Sequence, residues 1–385
     1  MDLLSKKKAT AEAAQVIVIT KLFRASLVTA DDLAILVTGF LTPVPTRTPF
    51  TERPPLKIKS GLALLLFSTA FSGCYVTRQA FRQTKLFLGR EPLEDVASVS
   101  QDTKDWIRDI LKEAQDLGLI VGSSYRHVVF PKDNVVAWSV SAAYPYELKS
   151  YTWWFPIVGE VPYKGFYDRD ERDEQARELE KKGFDVNLSR VAAFSSLGWF
   201  PDPLFPSMLE LQPSDLAHLL FHELTHRTFW ISGGVDLNEN MAEFIAEKAT
   251  LAFLKKRGVG LAPYLKSRAS LNQSSQWLLS LESDLRGLYG NRDLPPQDMK
   301  QKKEEIFKSH LSQLKTNQAR YVASDPSKWN NARVLASKTY LGHQIEIEQK
   351  YACFSSLDAF IESIKQIKSL KDLKDCSTIV LSTLH

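Results

Sequence analysis

Pro213-Ser214-Asp215-Leu216-Ala217-His218-Leu219-Leu220-Phe221-His222-Glu223-Leu224-Thr225-His226 is the stretch that decides how the second half of the chain folds. Ser214 reads as an N-cap and Asp215 suits a first helical turn, so a helix is predicted through Leu219, Leu220 and Phe221 to about Trp230. Gly233-Gly234 then ends it. His222 and His226 stand four residues apart, which puts both imidazoles on one face, one turn apart, where they can grip one ion. Glu223 follows the first histidine, so its carboxylate can reach a water beside that ion and need not ligate the ion itself. This is the H-E-x-x-H arrangement of zinc hydrolases.

Two histidines leave a catalytic zinc one protein ligand short. The segment Asp236-Leu237-Asn238-Glu239-Asn240-Met241-Ala242-Glu243-Phe244 opens a second helix and offers carboxylates, and the Gly233-Gly234 turn lets it fold back beside the first. Glu239, at its beginning, is the expected third ligand of one Zn2+; Glu243, one turn on, is the rival. The apolar neighbours of the motif indicate a buried helix, where two histidines and a glutamate are costly without a cation. His218 lies one turn before His222 and is expected to pack or to support the site through a hydrogen bond. His127, His310, His343 and His385 have no supporting context, and Trp153-Trp154 and Trp199-Phe200 read as core.

Ahead of this stretch the pattern changes. Glu91 to Leu117 has helical spacing, with Gly118 as its stop. Branched and aromatic runs at 128–130, 135–140 and 151–158 read as strands of a small sheet, and 191–194 as a further strand. Asp170 to Lys182 reads as a solvated helix. Helices are also predicted at 236–256, 276–288, 297–317 and 357–367. The fold class is α+β: a small β-sheet followed by a mainly helical part that carries the H-E-x-x-H helix.

The N-terminal part reads as addressing. Lys57 and Lys59 precede the apolar run Gly61 to Phe71, which ends in Ser72-Gly73-Cys74. The run is too short to span a bilayer, which takes about 20 residues. Basic flank, apolar core and small residues before a cysteine resemble a bacterial lipoprotein signal at 56–73, with Cys74 the lipidated residue; Phe71 departs from the usual Leu. Residues 1–55 are then a non-native or disordered extension before a start near Leu56, or alternatively a genuine cytosolic extension. The expected location is a bacterial envelope, anchored and facing the periplasm; a cytoplasmic location is the alternative. Residues 74–385 would form one metallopeptidase domain, with its core at about 120–256 and a helical part at 257–385. With Cys74 lipidated, Cys353 and Cys376 remain as a pair for a disulfide, or as two unpaired buried cysteines.

A net charge of +4 over 385 residues, with acidic residues interleaved among the basic ones, argues against a nucleic-acid footprint.

Several separated blocks carry a family resemblance. They are Thr152 to Gly159, Pro162 to Asp168, Ser195 to Pro203, the His222 to His226 motif and Asn238-Glu239, with an echo at Asn330-Asn331-Ala332-Arg333. In these the chain resembles the zinc aminopeptidases of bacteria that often bear a lipoprotein signal, over roughly Cys74 to Leu254. The resemblance implies that His222, His226 and Glu239 bind zinc, that Glu223 is the catalytic glutamate, and that the catalytic part is zincin-like. Thr225 stands where the family usually has Ala, at a position that is neither ligand nor base.

The expected reaction is hydrolysis of a peptide bond by a zinc-activated water, with Glu223 as general base. Tyr163 and Tyr167 are candidate donors to the transition state. The strand around Ile157 to Pro162 could bind a peptide as an added edge strand. Two alternatives stand beside the aminopeptidase reading: an envelope endopeptidase, and a non-enzymatic lipid-anchored zinc-binding protein.

Overall fold

An apolar helix face from Leu216 to Leu224 can be buried only against another apolar surface, and the chain supplies one directly. In the computed structural model, helix Pro213–Thr228 packs antiparallel against helix Val235–Arg257. The structure describes residues 82, 88–131, 135–155, 159–191, 201–291, 293–316, 329–338 and 343–373. The expected extension, the signal, Cys74, Trp199-Phe200, Cys376 and His385 lie outside the described residues.

In chain order the elements begin with β1 (Glu91–Pro92), α1 (Gln101–Asp116), β2 (His127–Val128) and β3 (Ala137–Ala143). A hairpin of β4 (Trp153–Phe155) and β5 (Gly159–Val161) follows, then β6 (Tyr163–Phe166), α2 (Arg169–Lys181) and β7 (Asp185–Val191). After the short α3 (Pro206–Leu209) come α4 (Pro213–Thr228), α5 (Val235–Arg257), α6 (Leu261–Gly290) and α7 (Pro296–Thr316). α8 (Asn331–Lys338), α9 (Gln344–Tyr351) and α10 (Leu357–Ile364) complete the described chain. The fold is α+β, as the sequence pattern predicts.

The main sheet is antiparallel in the order β6-β3-β7, with Ser141 opposite Tyr163 on one side and Asn187 on the other. Its inner face meets Ala176 and Leu179 of α2, so that helix is less solvated than its charged sequence suggests. Asp168 caps α2, accepting from the backbone N–H of Asp170 at 2.9 Å and of Glu171 at 3.2 Å. The larger core lies between the helices. Ile107, Ile110 and Ala114 of α1 are buried with Leu220, Phe221 and Phe253, while Phe360 of α10 and Ile347 of α9 close the other side of α5. Trp106 packs its ring 4.9 Å from that of Phe253 and donates to Pro213 O at 2.9 Å, tying α1 to the start of α4. Among the described residues no helix is long and apolar enough to cross a membrane.

Several element boundaries differ from the sequence reading for local reasons. The expected helix from Glu91 begins only at Gln101, because Pro92 cannot serve a helix interior and Ser100 accepts from Thr103 N–H at 3.2 Å as the cap. Gly118, at φ +86, stops it as expected. Ser214 is not the N-cap of α4. Pro213 lacks an N–H and takes the first helical position, so Gln212 falls at the cap and Ser214 is buried inside the helix. α6 starts far earlier than expected, at Leu261 after the left-handed Gly260, since Pro263 still lies in its first turn. Trp153 is half-buried but Trp154 is 67% exposed, as strand alternation requires; the two do not share the core. Cys353 is disulfide-bonded, which removes the unpaired reading for that cysteine.

The Asn330-Asn331 block has a structural account. Asn331 is fully buried; its amide donates to Tyr144 O at 2.9 Å and Pro145 O at 3.1 Å, while its Oδ1 accepts from Tyr289 O–H at 2.9 Å. Asn330 donates to Val186 O at 2.8 Å. The pair thereby fastens α6 and α8 to the end of the sheet. Removing the Asn331 amide by Asn331→Ala leaves buried carbonyls unpaired, so urea unfolding is expected to show a loss of about 1–3 kcal/mol.

Candidate metal centre

α4 and α5 are joined by a turn that must aim the start of α5 back at the motif. Gly233 adopts φ +76 in this turn, and Asn238 then clamps it, accepting from Ile231 N–H at 2.8 Å and donating to Ile231 O at 2.7 Å. The residue after the clamp is Glu239. The β4–β5 hairpin closes over the same turn: a Cβ added to Gly159, itself at φ +82, would sit 3.5 Å from the Gly233 backbone.

This geometry brings His222, His226 and Glu239 together. The two Nε2 atoms lie 3.0 Å apart, and Glu239 Oε2 is 3.4 Å from the first and 3.6 Å from the second. All three ligand atoms fall within 4.8 Å of one another, in a group that could hold a metal ion. Tetrahedral ligation at about 2.1 Å sets donor atoms roughly 3.4 Å apart, close to what is found. Two imidazole nitrogens directed at one another and at a carboxylate are also unfavourable without a cation between them. The donor set therefore fits a divalent metal.

The charges tell the same story. Burial opposes a charged His222, but hydrogen bonding to Glu239 and Glu243 overrides this and lifts its pKa to about 10. Without metal a proton on His222 thus occupies the cation's place, and metal binding must release it. Burial holds His226 below its ordinary value, against the pull of Glu239. Glu239 is pushed up by burial, yet His226 and His222 more than offset that and leave it lowered. Glu223 goes the other way: burial lifts it to about 8, Glu239 and Asp202 add to the rise, and the His222 charge opposes it. Both Glu223 carboxylate oxygens are buried without a hydrogen-bond partner. A base of this kind is poised near neutrality.

Glu243, the rival ligand, faces the other nitrogen of His222. Its Oε2 lies 3.6 Å from His222 Nδ1 and 3.1 Å from His218 Nε2. Arg268 of α6 reaches Glu243 at 2.5 Å and Glu247 at 2.8 Å. His218 in turn contacts the Tyr264 hydroxyl at 2.8 Å, so it has the supporting hydrogen bonds expected of it. Burial raises the Glu243 pKa, but His218 and Arg268 outweigh it and hold it well below the ordinary value. His218, His222 and Glu243 also stand close enough for a cation. Arg268 already neutralises Glu243, whose carboxylate faces the Nδ1 side of His222, opposite the nitrogen that points to Glu239.

Tyr163 lies at the sheet edge nearest this group. Its hydroxyl is buried without a partner, and burial together with the charges of Glu239 and Glu223 pushes its pKa well up. Tyr167, beyond the other end of β6, packs against Ala137 and Val191 and belongs to a different part of the sheet. His310 contacts Asp284 at 2.7 Å and His343 contacts Glu346 at 3.3 Å, away from the triad. Arg268 escapes sequence reasoning: it comes from a distant segment, and no local pattern marks it. Asp202 lies in the Ser195 to Pro203 block, but its effect on Glu223 is not legible there.

The fold and site define an α+β protein with a buried His-His-Glu group able to hold a metal ion and a free glutamate beside it. The chain belongs to the family described as "Putative aminopeptidase", which matches residues 74–378, in keeping with the resemblance carried by the sequence blocks. No curated protein and no solved structure matches it.

Glu239→Ala is expected to abolish stoichiometric metal binding, while Glu243→Gln should keep the metal and weaken it about 10- to 100-fold. Calorimetric titration with a divalent cation separates the two; the reverse ranking would make Glu243 the ligand.

Proposed function

We propose that this protein is a zinc-dependent aminopeptidase in which His222, His226 and Glu239 hold one zinc ion and Glu223 is the general base. The observation that carries the reading is the pairing of a three-ligand group with an adjacent, buried carboxylate that has no other partner. A structural zinc would have a fourth protein ligand, and among the described residues the group is His222, His226 and Glu239 alone. The family description supports the peptidase class.

When bound, zinc polarises the scissile carbonyl and makes a water acidic enough to attack near neutral pH. Glu223 accepts the proton of the attacking water and passes it to the leaving amine, so that the carboxylate is restored at the end of the cycle. Tyr163 donates its O–H to the oxygen that becomes negative as the carbonyl turns tetrahedral; a buried hydroxyl with no ground-state partner costs nothing to reorganise. Glu243 and His218 fix the His222 ring while the charge moves.

Glu223→Gln keeps size and shape but removes the base. Zinc should remain bound and peptide hydrolysis should fall by about 10²- to 10⁴-fold or more. Full activity would remove Glu223 from the reaction. The same assay run with N-acetylated and free peptides tests the exopeptidase part, because an aminopeptidase rejects the blocked ones and an envelope endopeptidase cleaves both.

The family match begins at Cys74, the residue that the lipoprotein-type signal would expose. We extend the proposal accordingly: the mature chain is anchored through a lipid on Cys74 and works at the bacterial envelope, facing the periplasm. Intact mass of the natural protein is expected to give a diacyl-modified chain starting at Cys74; a chain starting at Met1 would sink the anchor.

A further inference from the structure

Tyr125 is one of the largest side chains buried in the protein, at 1% exposure, yet it has the backbone of a glycine. Its φ is +61, and among the described residues it is the one non-glycine in the left-handed region. For a bulky aromatic this is strained, and a strained residue persists only where its surroundings hold it. Those surroundings are specific. Tyr125 N–H donates to Asp202 O at 2.6 Å, and Asp202 N–H donates to Ser124 Oγ at 2.9 Å. Arg227 donates to the same Ser124 Oγ at 3.2 Å. Gly122, two residues before Ser124 and also left-handed, lets the loop lie against Arg227: an added Cβ would come 2.8 Å from its guanidinium.

Arg227 is four residues after Glu223 on α4, so the two share a helix face. The loop is therefore laid over the face that presents the glutamate, and Tyr125 is its buried tip. The phenol lies in the field of both nearby carboxylates: burial, then Asp202, then Glu223 raise its pKa, with Arg227 opposing. The hydroxyl has no hydrogen-bond partner, nor has either oxygen of Glu223. A fully buried donor on the loop and a fully buried acceptor on the helix face that Arg227 shares, both without a partner at rest, cost stability unless they serve each other.

We propose that Tyr125 is a positioning residue for Glu223: its O–H donates to one carboxylate oxygen and fixes the orientation in which the other takes the proton from water. The inference rests on the reading of Glu223 as the general base. Hydrogen bonds of this kind are often long in a resting site and tighten when the reacting partners are in place.

Tyr125→Phe deletes the O–H alone and keeps ring and backbone. In the zinc-loaded protein we expect kcat for peptide hydrolysis to fall about tenfold with KM, zinc content and thermal midpoint held or slightly improved. The pair is resolved by repeating the substitution in a Glu223→Asp background, whose shorter carboxylate cannot meet the phenol; there Tyr125→Phe should cost little further. Equal losses in both backgrounds, or an unchanged kcat, would overturn the proposal and leave the phenol to Asp202. Loss of zinc or of the fold in Tyr125→Phe would also overturn it, since the hydroxyl would then be a structural element. An active Glu223→Gln protein is a different failure, that of the general-base reading itself.

Discussion

Everything in this structure answers to the burial of ionisable side chains between two helices. His222, Glu223 and His226 from α4 and Glu239 from α5 are almost wholly withdrawn from solvent. Groups of this kind tolerate such a place only when paired, protonated or bound to a cation. The surrounding architecture supports the group from several sides. Glu243 and Arg268 steady the back of His222, the Asn238 clamp fixes the turn that presents Glu239, and the hairpin seals the turn from above. His222 and Glu223 are both raised, so near neutrality the first position holds positive charge while the carboxyl beside it gains and loses a proton.

The remainder of the molecule holds this arrangement from two sides. α1, α9 and α10 bury the outer faces of the helix pair with aliphatic and aromatic side chains, so the pair does not depend on its polar centre for cohesion. The three-stranded sheet contributes through its edge: β6 carries Tyr163 to the site, and β3, paired along its whole length, keeps β6 in register. The helices α6, α7 and α8 form a separate small core around Leu278, Leu281, Leu285 and Val334. Helix α6 reaches the site from its first turns, through Tyr264 on His218 and Arg268 on Glu243.

How much of this was legible follows from sequence distance. α4 and α5 lie within one short run of chain, where helical spacing, glycine punctuation and a five-residue motif all act locally; both helices were read correctly in type and order, and His222, His226 and Glu239, picked from the same run, come together in the fold. Errors arose where two local signals competed. Ser214 was a good cap, but Pro213 beside it had the stronger claim on the first helical position. Glu91 to Leu117 had helical spacing, but Pro92 and Ser100 overruled its first turns. β6 has only four residues and little apolar alternation, so its place in the sheet is set by pairing with β3. Arg268 was invisible for a deeper reason: it matters through contacts to Glu243 and Glu247 of α5 made from a separate helix.

The Asn238 clamp has one consequence for the metal-free protein. Because His222, His226 and Glu239 lie in one short run of chain and the intervening turn is already fastened by the Asn238 amide, a cation held by them would cross-link two segments that the chain has brought together on its own. It would close no long loop and so would remove little conformational freedom from the unfolded chain. The helix pair therefore owes its place to the turn and to its apolar faces, and a group able to hold an ion is assembled before any ion arrives.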